Sequence, residues 1–251
     1  MKRLTGKAIL VTGSARGLGR AFAERCVQEG AAVALIDVLA DAGEETARTL
    51  GATGADVFFR RCDITRADEL AALVEQIQAR WGRLDGLVNN AALATGLAGK
   101  TFDQIDEANW DRVFQVNVKG TWQVSKAVLP LLKAAGEARI VNLASDTAIW
   151  GADLFMHYVA SKGAIISMSR AMARELAPFN ITVNTIAPGL TETEATASAP
   201  ERRWKQYLDA QLVKRSPVPE DIVGAAAMLL SADGRFITGQ TIVINGGMTL
   251  S

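Results

Sequence analysis

Ala8-Ile9-Leu10-Val11 runs straight into Thr12-Gly13-Ser14-Ala15-Arg16-Gly17-Leu18-Gly19, and a helical pattern follows over Gly19–Gln28. The first four residues form a short, continuously apolar run, as a strand buried on both faces requires. The glycines then allow a tight turn, so that backbone N–H groups can approach a pyrophosphate at the positive end of the helix. The spacing is G-x3-G-x-G, and many strand–helix loops need glycine for geometry alone. A strand before it and a helix after it point to a dinucleotide turn.

The same alternation continues along the chain. Ala32–Ile36, Val57–Arg60, Leu84–Val88, Arg139–Leu143, Ile181–Ile186 and Thr241–Ile244 read as buried strands. Ala40–Leu50, Ala67–Trp81, Trp110–Ala135, Phe155–Ala177 and Ile222–Leu230 read as helices. Alternation of this kind builds βαβ units into one α/β, doubly wound, seven-stranded parallel sheet with helices on both faces. No linker, repeat or shift in composition divides residues 1–251, so one domain is expected. Residues 188–219 break the rhythm. They hold four of the six prolines and the small-polar run Thr191–Ala199, and they leave a strand where a binding-site lid would sit.

Composition narrows the function. Twenty-seven basic and 27 acidic residues cancel, which disfavours nucleic acid and a polybasic membrane anchor as partners. Cys26 and Cys62 are too few for a disulfide scaffold, and with His157 the single histidine no metal site is expected. No apolar run is long enough to span a bilayer. Met1-Lys2-Arg3 is followed by only four apolar residues from Ala8, too few for a signal peptide, and a cytoplasmic location with reduced thiols is expected.

Asp37 ends the second strand, eighteen residues after Gly19. A carboxylate there can accept hydrogen bonds from both adenosine-ribose hydroxyls and would repel a 2′-phosphate. Arg16 pulls the other way, since a basic side chain in the turn could attract that phosphate. Asp37 occupies the ribose position itself, so NAD is expected over NADP. As a helix cap, Asp37 would leave the glycine turn unexplained. Cys62-Asp63 and Asn89-Asn90-Ala91 close the third and fourth strands at the same sheet edge, suited to adenine and ribose contacts, although each alone also reads as a turn residue.

Tyr158 and Lys162 are four apart in a helical segment and share a face. With nine lysines in the chain, such a pairing arises about once in 28 tyrosines by chance. Its chemistry is apt all the same. A lysine cation about 4 Å from a phenol, at an effective dielectric near 20, is worth ~4 kcal/mol, or about three pKa units. That would bring a group of pKa about 10 into working range as a base. Ser145 ends the fifth strand, where a hydroxyl could orient a substrate oxygen or simply cap a loop. Asn117 sits in the apolar run Val116-Asn117-Val118, where a buried amide needs a partner.

Taken together these pieces resemble the short-chain dehydrogenase/reductase superfamily over the whole chain. They are Thr12-Gly13-x3-Gly17-x-Gly19, Asn89-Asn90-Ala91, Asn117, Ser145, Tyr158-x3-Lys162, Pro188-Gly189 and the late Thr238-Gly239-Gln240 and Gly246-Gly247. Ala92 departs from the pattern, which usually has glycine there. The resemblance implies a Rossmann-like fold and a catalytic set of Asn117, Ser145, Tyr158 and Lys162. Tyr158 would be the acid/base, Ser145 would hold the substrate oxygen, Lys162 would lower the phenol pKa and bind the nicotinamide ribose, and Asn117 would carry a water-linked proton relay. Cofactor contacts are expected at Gly13, Ala15, Arg16, Gly17, Leu18, Gly19, Asp37, Cys62, Asp63, Ile64, Asn89, Asn90, Ala91, Tyr158, Lys162, Pro188, Gly189, Thr191 and Thr193, the last touching the carboxamide.

The expected activity is hydride transfer between NAD(H) and a secondary alcohol or ketone. Leu93, Ala94, Ser145, Thr147, Ile149, Trp150, Leu154, Leu190 and the lid are the expected substrate walls. Being largely apolar, they favour an apolar, cyclic or aryl substrate; Trp150 could instead be packing under the lid. A 3-oxoacyl-carrier-protein reductase is the alternative enzyme, disfavoured by Asp37 and the zero net charge. A silent dinucleotide sensor is the alternative outside catalysis, and the complete Ser145/Tyr158/Lys162 set argues against it. Apolar and small residues on more than one face of Asp111–Ala135 and Phe155–Ala177 predict assembly, as a homotetramer.

Overall fold

The computed structural model describes residues 2–250. In chain order the strands are β1 (Ala8–Thr12), β2 (Ala32–Asp37), β3 (Val57–Arg61), β4 (Gly86–Asn89), β5 (Ala138–Leu143), β6 (Ile181–Pro188) and β7 (Thr241–Ile244). The main helices are α1 (Gly17–Gln28), α2 (Ala40–Gly51), α3 (Ala67–Trp81), α4 (Glu107–Phe114), α5 (Thr121–Ala134), α6 (Thr147–Trp150), α7 (Met156–Leu176), α8 (Glu201–Ala210) and α9 (Pro219–Leu230). All seven strands run parallel in the order β3-β2-β1-β4-β5-β6-β7. This is the Rossmann-like α/β sheet that the sequence predicts.

Strand side chains alternate between two cores, because successive residues point to opposite faces. Ile9, Val11, Val33, Leu35, Val141 and Leu143 meet Phe22 and Cys26 of α1 and Ile222 and Leu229 of α9. Leu10, Ala34, Ile36 and Ile140 face the other way, against Leu70, Leu73 and Ile77 of α3, Val124 and Val128 of α5 and Ala173 of α7. Most strand positions are therefore apolar on both faces, with Arg60, Arg139, Asn142 and Asn184 among the exceptions. The chain order reverses between β1 and β4, and the crevice at their carboxyl ends is where an open sheet of this kind takes a ligand.

Three predicted elements are corrected. The helix expected over Trp110–Ala135 begins at Glu107, where the Asp106 carboxylate accepts the Asn109 N–H at 2.8 Å, and it widens into a π-helical stretch over Gln115–Gly120. Such widenings concentrate at functional sites, and this one carries Asn117. The segment expected as an irregular lid contains α8. Helix α9 starts three residues early, with Pro219 in its first turn and the Asp221 carboxylate accepting the Val218 N–H at 2.9 Å.

Candidate functional site

The β1–α1 turn is built for close backbone approach. Gly13 and Gly17 adopt φ of +63° and +56°, and a Cβ on Gly19 would lie 1.8 Å from the Gly13 carbonyl oxygen. The β4 end locks onto the turn. Thr12 Oγ1 accepts the N–H groups of Asn90 and Ala91, both at 3.0 Å, while the Asn90 amide donates to the carbonyls of Thr12 and Gly13 at 3.1 and 3.0 Å. The mouth of the crevice is thereby fixed, with Leu18 half-buried and the α1 N-terminus facing outward. Thr12 was not among the expected site residues. Its strand-end hydroxyl was the available signal.

Asp37 is held beside this turn. One carboxylate oxygen accepts the Ala15 N–H at 2.9 Å and the other accepts the Leu39 N–H at 3.1 Å. Arg16 stands exposed at the head of α1. Along the same edge Asp63 Oδ1 accepts from the Thr65 N–H and hydroxyl at 2.9 and 2.8 Å.

Three expected cofactor side chains turn away from the crevice. Cys62 and Ile64 are buried in the core with α3 and α5, and burial pushes the Cys62 thiol up to about 11. Asn89 is also core: its amide donates to Ser125 Oγ at 3.0 Å and to Asn142 Oδ1 at 2.8 Å. The reason is strand alternation, since Asn90, not Asn89, points back to β1.

Asn117 is nearly fully buried. Its Oδ1 accepts the Leu93 N–H at 2.7 Å, and its Nδ2 donates to the Leu93 carbonyl and to Ser161 Oγ, both at 3.1 Å. The π-helical stretch thus pins the segment after β4, including the half-buried Leu93, to the face of α7. Ser145 lies at the end of β5, where its Oγ accepts from the Thr147 hydroxyl at 2.9 Å and the Thr147 N–H at 3.3 Å. Tyr158 and Lys162 occupy one face of α7 beside it. Lys162 Nζ donates to the Leu143 carbonyl at 2.7 Å and lies 5.7 Å from the Tyr158 ring centroid.

Burial opposes the downward shift expected at Tyr158. Burial pushes the phenol up to about 12, against a smaller downward pull from its hydrogen bond with Ser145. Burial brings Lys162 itself down to about 8. Without a bound cofactor, desolvation sets the direction of the phenol's shift.

The lid begins over the glycine turn. Pro188 ends β6, Gly189 and Leu190 are half-buried, and Thr191 is buried with its hydroxyl on the Gly189 carbonyl at 3.0 Å. Thr193 Cβ sits 3.5 Å from where a Gly17 Cβ would be, and its hydroxyl pairs with Thr196. Glu194, which the sequence did not single out, accepts the Gly17 N–H at 3.1 Å. Trp150, expected as a substrate wall, packs edge-on against Tyr207 of α8 with centroids 6.1 Å apart, so much of its surface supports the lid.

The family model described as enoyl-(acyl carrier protein) reductase matches residues 13–249. The chain is 33% identical to the 3-oxoacyl-acyl-carrier-protein reductase of Thermotoga maritima, covering 99% of this chain and 100% of that one. It is also 33% identical to a cyclopentanol dehydrogenase of Comamonas, covering 99% of each. A crystal structure from Brucella melitensis, titled short-chain dehydrogenase/reductase and glucose/ribitol dehydrogenase, superposes over 100% of both chains with a TM-score of 0.92 at 34% identity. The glycine turn, the seven-stranded sheet and the Ser145–Tyr158–Lys162 cluster are thus parts of an oxidoreductase, and the chain belongs to the short-chain dehydrogenase/reductase superfamily.

Proposed function

We propose that this protein is an NAD-dependent dehydrogenase that interconverts a secondary alcohol and a ketone of apolar, cyclic or aryl character. The observation that carries this reading is the meeting of Ser145, Tyr158 and Lys162 at one strand end, next to a turn that only glycines can form. The crevice fits a dinucleotide, because a Cβ at Gly19 would fill the turn and Asp37 is already fixed at its edge. Gly13, Ala15, Gly17 and Asn90 would line the phosphates and ribose, with Lys162 at the nicotinamide end. A bound nicotinamide supplies the acceptor or donor of hydride.

The chain's own groups handle the proton and the oxygen. In oxidation Tyr158 takes the hydroxyl proton of the alcohol, and in reduction it returns one to the carbonyl oxygen. Ser145, aimed by Thr147, donates to the same oxygen and stabilises the charge that builds there. Lys162 stabilises phenolate, and a cationic nicotinamide beside it would pull the phenol down from about 12 in the same direction. Asn117 holds the Leu93 segment against α7.

Asp37 supports NAD over NADP, since its fixed carboxylate would meet a 2′-phosphate with like charge. The resemblance to acyl-carrier-protein reductases favours a second reading, reduction of a 3-oxoacyl carrier substrate with NADP. Four copies are proposed to assemble through α4–α5 and α7, where Trp122 stands exposed, and through the edge strand β7 near the fully exposed Phe236. A panel of secondary alcohols with NAD and with NADP tests the function. Reduction of NAD by apolar cyclic or aryl alcohols is expected; activity confined to NADP and 3-oxoacyl thioesters would overturn it.

A further inference from the structure

The residue after Ser145 is a carboxylate with no exposure to solvent, and no lysine or arginine pairs with it. Asp146 Oδ1 accepts the Tyr207 hydroxyl at 2.8 Å, and Oδ2 accepts the Asn245 amide at 3.3 Å. Tyr207 comes from the lid helix α8 and Asn245 from the end of β7, so three separate parts of the chain converge on one anion. A buried charge held only by neutral donors is costly, and a core built for stability alone would place an apolar group there.

The surroundings make room for this contact. A Cβ on Gly189 would lie 3.0 Å from Asn245 Cβ and 3.3 Å from the Tyr207 ring. One turn earlier on the same face of α8, Arg203 donates to the Asp153 carbonyl at 3.1 Å and lies 5.5 Å from the Phe155 ring centroid. Phe155 in turn stacks on Tyr158, with centroids 4.4 Å apart and planes 15° from parallel. Helix α8 therefore touches both halves of the reacting pair, through Tyr207 to the neighbour of Ser145 and through Arg203 and Phe155 to Tyr158.

We propose that Asp146 and Tyr207 form a latch that seats the lid helix on the strand end carrying Ser145, making Asp146 a positioning residue for the reaction. This rests on the reading of Ser145 and Tyr158 as the reacting pair. The latch is charge-assisted, and neutralising the carboxylate weakens it. Burial pushes Asp146 up to about 6, so the loosening falls in an accessible range. The charged and titratable groups around it are Tyr207 and Arg203 from α8, with Asp153 behind Arg203, and Tyr158 from α7, whose phenolate Asp146 opposes. Asn245, the Trp150 indole and the Thr147 backbone N–H face it as neutral groups. His157, also on α7, lies in the field of Lys100 and Asp106 instead.

Two near-isosteric variants test the latch, Asp146→Asn and Tyr207→Phe. Amide hydrogen exchange over residues 201–210, corrected for intrinsic rates, is measured at pH 5 and pH 7.5 without substrate. The wild type should protect α8 at pH 7.5 and lose about tenfold in protection at pH 5. Asp146→Asn should show the low protection at both pH values, and Tyr207→Phe should match it at pH 7.5. In turnover, the wild-type KM should rise below pH 6 with kcat less affected, and Asp146→Asn should keep the higher KM throughout. Equal protection in wild type and Asp146→Asn at pH 7.5 would overturn the latch, as would pH-independent protection in the wild type. If α8 follows the latch while Tyr158→Phe stays active, the latch stands and the catalytic reading falls.

Discussion

Lys162→Met exchanges the buried ammonium for an apolar side chain of similar length, and its effect follows from the pKa of about 8 that burial gives the lysine in place of 10.5. Because the folded value lies below the unfolded one, Lys162 withdraws stability as pH falls from 10.5 toward 8, and below 8 the loss is complete. At roughly 1.4 kcal/mol per pKa unit, the wild type gives up about 3 kcal/mol at pH 7 but only about 1 kcal/mol at pH 9.5. The variant also strands the Leu143 carbonyl, at a cost of about 1–3 kcal/mol that does not change with pH. Its net stability at pH 7 is thus near or above wild type, but the pH dependence is unambiguous. Relative to wild type, Lys162→Met should gain about 2 kcal/mol between pH 9.5 and pH 7 while losing its turnover. Urea unfolding of both proteins at matched subunit concentration reads this directly. A gap that stays constant or shrinks on going to pH 7 would show that Lys162 is not a strained, desolvated cation.

NAD should be preferred over NADP by about tenfold or more in kcat/KM, and Asp37→Ala should narrow the gap by removing the fixed charge and freeing Arg16 for a 2′-phosphate. Equal efficiency in the wild type refutes this. Glu194→Gln should tighten NADH binding by up to about fivefold, because the carboxylate on the Gly17 N–H competes with a phosphate for the α1 N-terminus; weaker binding in a fluorescence titration would contradict it. Light scattering coupled to size exclusion should give four times 26.7 kDa, about 107 kDa. A mass near 54 kDa leaves only the helix-paired dimer, and one near 27 kDa rejects assembly.

The strands were readable because most of their positions are apolar on both faces, in short runs alternating with longer amphipathic segments, the pattern expected of a doubly covered parallel sheet. Helix α8 escaped for the opposite reason. Its buried face is Arg203 and Tyr207, a charged and a polar-tipped side chain instead of an aliphatic stripe, and four nearby prolines suggest a loop. Asp146 looked like an ordinary residue after a strand. Its meaning depends on Tyr207, 61 positions later, and on Asn245, 99 positions later, which no local spacing encodes. The fourfold offset of Tyr158 and Lys162 correctly placed both on one face of α7. It said nothing about how dry that face is, and the dryness, not the cation, sets the direction of the phenol's shift. Asn89 and Asn90 show the finer limit, where alternation sends one amide into the core and the other to the glycine turn.

On the proposed reading, Tyr158 carries the proton in both directions of the reaction. Tyr158→Phe keeps the ring stacked on Phe155 and removes only the hydroxyl, so the fold and NADH binding should survive. Steady-state turnover of an alcohol found in the NAD panel, measured beside NADH affinity for both proteins, tests it most directly. A fall in kcat of about a thousandfold or more with NADH affinity unchanged is expected, the range for losing a general acid/base together with a donor to the reacting oxygen. Turnover retained within tenfold of wild type would contradict it.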